Sequence, residues 1–175
     1  MLSHLQVATM LTIINILAWL LLLGLPFIGF RRGSGPMLCI GIYVLLFSLL
    51  IAVVSPSLGA SMPVVPTLDV TVNTGWWQIV MFIPLLGLSF PLGLNLNRFL
   101  AYTIEPFEEV VGMAIGLVVA VIALRTFLGG VSLCTSGTDL QASIDQLFLV
   151  RQVVELDGYH GVQSWFTNLH KATEL

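Results

Sequence analysis

The sequence predicts an all-α, polytopic membrane protein: four transmembrane helices followed by an amphipathic helical tail. Three observations carry that expectation. Of the 175 residues, 57% are hydrophobic and only 9% are charged, whereas an ordinary soluble domain carries about 25% charged residues. Mean hydropathy is +1.01, so more apolar surface is present than a core of this size hides, and lipid is the medium that accepts the rest. The apolar residues are also gathered into four stretches, 7–30, 37–60, 76–100 and 110–133, each long enough to cross a hydrocarbon layer of roughly 30 Å. The expected organisation is a transmembrane domain over 1–133 and a tail over 134–175.

No Lys or Arg precedes the first stretch, and no small-x-small cleavage site follows it cleanly, so it reads as a retained helix and not as a signal peptide. Asn15 falls near its middle, where an amide is expected to bond to a neighbouring helix. The connection that follows, Arg31-Arg32-Gly33-Ser34-Gly35-Pro36, is a tight basic turn, and the first two segments form a helical hairpin.

The second connection, residues 61–75, contains Asp69 and no basic residue. Its alternation of β-branched residues over 67–75 predicts a short strand lying extended over the membrane face. Trp76 and Trp77 then mark a membrane interface. Arg31 and Arg32 in the first connection, with Arg98 bordering the third, place those two connections in the cytoplasm by the positive-inside rule. Both termini are thereby expected outside the cytoplasm, in the cell membrane of a bacterium or archaeon.

The third segment holds Pro84 and Pro91, seven residues apart, with Gly87 and Gly93 beside them. A kinked helix is expected, serving packing before any binding site at the break. Asn95, Asn97 and Arg98 crowd its end and are candidates for a polar path. Glu108 and Glu109 open the fourth segment, where carboxylates favour the positive end of the helix dipole. Gly112, Gly116 and Ala120 recur every four residues, giving a face without bulk for close helix packing. Packing within the protomer and self-association are equal expectations for that face. Arg125 is read as near enough to the helix end to snorkel to water.

The tail changes character. Thr138 and Gln141 have capping-box spacing ahead of an amphipathic stretch, and Val162, Trp165, Phe166 and Leu169 follow at i, i+3, i+4 and i+7. Trp165, Phe166 and Leu169 are the candidate contacts of a tail lying on the outer leaflet or on a partner.

Several function classes are set aside. A net charge of −3 with six scattered Lys and Arg residues gives no footprint for nucleic acid. Cys39 and Cys134 form no CxxC and are expected to be unpaired, and the three histidines lie near the chain ends, so no metal or cofactor site is indicated. No nucleophile with a base is found at one depth, and no segment has a central Asp, Glu, Lys or His for proton coupling. The expectation is a non-catalytic subunit of a larger membrane complex, such as a secretion, conjugation or respiratory machine. Its partners would be the lipid bilayer and other membrane subunits or copies of itself. A homo-oligomeric pore or transport component is the alternative.

Overall fold

A computed structural model describes residues 4–100 and 107–136, and among them the secondary structure is helical throughout. Four helices follow in order: α1 over His4–Arg32, α2 over Ser34–Ser61, α3 over Val70–Leu100 and α4 over Glu108–Cys134. Each contains a stretch long and apolar enough to span a membrane. At 1.5 Å per residue the shortest, of 27 residues, is about 40 Å long. The predicted tail, including Thr138, Gln141, Trp165, Phe166 and Leu169, lies outside the described residues.

The first connection is shorter than expected. Only Gly33 stands between α1 and α2, so Arg31 and Arg32 belong to the last turn of α1 and Pro36 to the first turn of α2. Gly33 has φ +86°, a left-handed conformation that glycine adopts at no steric cost. Its N–H still donates to the Gly29 carbonyl at 2.9 Å, and its own carbonyl accepts from Met37 N–H at 3.4 Å. One residue therefore closes one helix and opens the next.

The strand expected over 67–75 is not formed, because α3 already begins at Val70. Asp69 caps it, its Oδ1 accepting from Val70 N–H at 2.8 Å and its carbonyl from Asn73 N–H at 3.0 Å. Asn73, 1% exposed, ties the loop to the helix: its Oδ1 accepts from Val65 N–H and its amide donates to the carbonyls of Val65, Leu68 and Asp69. The β-branched run is absorbed into the first helical turn, since capping and these loop bonds outweigh a weak strand propensity.

The chain forms two compact units. The first comprises residues up to Leu45 with Leu85–Leu124, and its interior is built around Leu25, Met37, Ile40, Val44 and the α4 residues Val119, Ala120, Ala123 and Leu124. The second comprises Leu46–Pro84 with the chain from Arg125 onward. There Ile51, Phe82, Phe127 and Leu128 are buried, and the Phe82 and Phe127 rings meet tilted, with centroids 6.0 Å apart.

Both cysteines are free. The helix assignment of α3 runs unbroken through Pro84 and Pro91, and both rings are on its exposed side. The turn they disturb therefore does not face the interior of the protein, which removes the structural support for a binding break there.

Candidate functional site

The small-residue face of α4 finds its partner in the same chain. A Cβ built on Gly112 would strike the Gly29 carbonyl and come within 2.7 Å of the Gly33 backbone, and one built on Gly116 would lie 2.7 Å from the Leu25 carbonyl and 2.8 Å from Pro26 Cα. Ala120 is fully buried. At Gly29 and Gly112, α1 and α4 touch backbone to backbone, a closeness that only glycine permits. The face is thus occupied by α1 and is not presented to another molecule.

The proposed polar path is not a single lining. Asn95 and Arg98, three residues apart, share the exposed side of α3, whereas Asn97 is turned about 200° from Asn95 and is partly buried. Asn97 Oδ1 and Ser34 Oγ are buried without a hydrogen-bond partner among the described residues.

Arg125 does not snorkel. It is only 6% exposed and lies four residues from the midpoint of α4, about 6 Å along the axis. Here the sequence reading underestimated depth, because α4 continues beyond Arg125 for more than two further turns. The second unit also joins small polar groups that the sequence did not signal. Thr126 Oγ1 donates to Ser48 Oγ at 2.9 Å, and Gln78 Nε2 donates to the Thr126 carbonyl at 3.1 Å. Gly129 and Gly130 make room for that amide, since Cβ atoms there would lie 3.4 Å from Gln78 Nε2 and 3.3 Å from Gln78 Cβ. Three helices are thereby joined at one level of the second unit.

These groups supply hydrogen bonds between helices. Among the described residues no group of His, Cys, Asp and Glu is placed to hold a metal ion.

Asn15 departs from its expected role in the other direction. It sits on the exposed side of α1, three residues from the helix midpoint, with Trp19 at 45% and Leu23 at 63% exposure one and two turns further along. A separate stripe of α1, about 110° around the helix from Asn15, runs through Ile13, Ile16, Leu20, Leu23, Phe27 and Phe30, all exposed, at alternating spacings of three and four residues. No protein-family model, curated protein or solved structure matches the chain.

Proposed function

We propose that this protein is a non-catalytic integral membrane subunit that holds a partner helix against the exposed side of α1. The observation that carries this reading is Asn15. A carboxamide on a lipid-facing surface leaves donors and acceptors without partners, and a second helix bearing a polar group or a free carbonyl satisfies them. Trp19 and Leu23, exposed one and two turns along on the same side, give such a helix an apolar surface to pack on. The small-residue face of α4, for which packing within the protomer and self-association are equal expectations from the sequence, packs on α1 and so builds the platform.

Arg31, Arg32 and Arg98 support an orientation with the α1–α2 turn in the cytoplasm and both termini outside, in a bacterial or archaeal cell membrane. Extraction of the native membrane in a mild detergent, followed by size analysis, tests the reading. The protein is expected to travel in an assembly larger than itself, and Asn15→Leu to weaken that assembly by about fivefold to tenfold. A wild-type protein that runs as a fully functional monomer contradicts it.

A second reading, a homo-oligomeric pore, draws on the buried, unpartnered oxygen of Asn97. It predicts conductance from the purified protein in liposomes, lost in Asn97→Leu; a conductance untouched by that substitution removes this lining.

A further inference from the structure

Within the first unit a crevice of about 220 Å³ opens between α1, α2 and α3. Its walls are Phe27 and Ile28 of α1 and Phe90 and Leu94 of α3, and its floor is Ile40 of α2. The floor is rigid: Ile40 is 1% exposed, and α3 presses so closely that a Cβ on Gly93 would lie 2.6 Å from the Ile40 backbone nitrogen. An apolar slot of this kind accepts a hydrocarbon chain.

One end of the slot is charged. Arg31 and Arg32 complete the lining, both exposed, and the Arg31 guanidinium is held 5.8 Å from the centroid of the Phe27 ring. Arg98 follows Leu94 by one turn on α3 and is also exposed. Among the described residues that line the slot, Arg31 and Arg32 are the charged ones. A guanidinium fork matches a phosphate in shape and charge. Basic residues at a helix end also lie at headgroup depth, where they attract anionic lipid.

We propose that the first unit binds an anionic phospholipid, with an acyl chain in the crevice and the phosphate held by Arg31 and Arg32. The two arginines of the lining give the preference. A zwitterionic lipid offers the same phosphate but brings a cation that the neighbouring arginines repel. This site shares Phe27 with the exposed apolar stripe of α1 but does not use Asn15, so the lipid test is read separately from the partner-helix test.

The test is native mass spectrometry of the full-length protein offered equimolar palmitoyl-oleoyl phosphatidylglycerol and phosphatidylcholine. Wild type is expected to retain the glycerol lipid over the choline lipid by on the order of tenfold. The double substitution Arg31→Gln, Arg32→Gln is expected to bring the two to parity with an unchanged thermal midpoint. Leu94→Trp, which fills the slot, is expected to reduce retention of both. Equal retention by wild type, or wild-type selectivity in the arginine double variant, overturns the proposal, as does unchanged binding in Leu94→Trp. Displacement of the lipid by millimolar inorganic phosphate alone also overturns it, since the acyl chain would then contribute nothing.

Discussion

The two units share close backbone packing at glycines and differ in what is added to it. In the first, α1 and α4 meet backbone to backbone at Gly29 and Gly112, and α3 meets α2 in the same way at Gly93 and Ile40. In the second, Gly59 meets the Thr74 backbone and Gly75 meets the Gly130 and Cys134 backbone as closely, and side chains bridge the helices as well: Thr126 to Ser48, Gln78 to the Thr126 carbonyl, and Trp77 Nε1 to the Met62 carbonyl at 2.7 Å. Lipid tails are as apolar as leucine, so hydrophobic burial does not drive helix association inside a bilayer, and close packing and hydrogen bonds remain. The first unit relies on close packing and the second combines it with side-chain bridges, so the two should fail differently when altered.

The largest loss is expected where backbones touch. Gly112→Leu or Gly116→Leu cannot be absorbed by a side-chain movement, because the opposing atoms are backbone, and each should destabilise the protein by about 2 kcal/mol or more. Denaturant titration in detergent micelles measures this; a variant as stable as wild type would mean that α1 and α4 do not meet there.

Asn73→Ala comes next. It removes a buried side chain from four hydrogen bonds, leaving Val65 N–H and three carbonyls without that partner, for an expected loss of about 1–3 kcal/mol. Faster proteolysis of the α2–α3 loop should accompany it, and unchanged cleavage would separate Asn73 from loop order.

The bridge between α2 and α4 should be worth less. A double-mutant cycle on Ser48→Ala and Thr126→Val is expected to return a coupling of about 0.6 kcal/mol. A coupling of zero would leave the second unit without that bond. Comparable in size but opposite in sign is Gly87→Ala: nothing lies within 4 Å of the new Cβ, so helix propensity alone acts and stability should rise by about 0.5–1 kcal/mol. A fall would place a neighbour against that exposed position.

How much was legible in the sequence follows the same division. The four spans could be read because the bilayer demands a minimum apolar length and few charges, a constraint that needs no knowledge of neighbours. Gly112, Gly116 and Ala120 announced a packing face, but spacing does not say which helix fills it; α1 does so through Gly29, Leu25 and Pro26.

Ser48, Gln78 and Thr126 gave no signal, since a single small polar residue in an apolar helix acquires meaning only from what lies opposite. Arg125 was visible but placed too close to the helix end, and its 6% exposure depends on packing that periodicity does not encode. The run Val70-Thr71-Val72 misled because alternation was weighed without the Asp69 cap and the Asn73 side chain. Asn15 was found by its depth, while its exposed placement came only from the fold.

Site-directed photo-crosslinking compares the two faces of the platform directly. A photoreactive amino acid is placed at position 15 in one variant and at position 120 in another, and intact membranes are irradiated. Position 15 should yield a protein adduct heavier than the chain, and position 120, fully buried, should yield none between molecules. Adducts from position 15 with lipid alone would contradict a partner helix on α1.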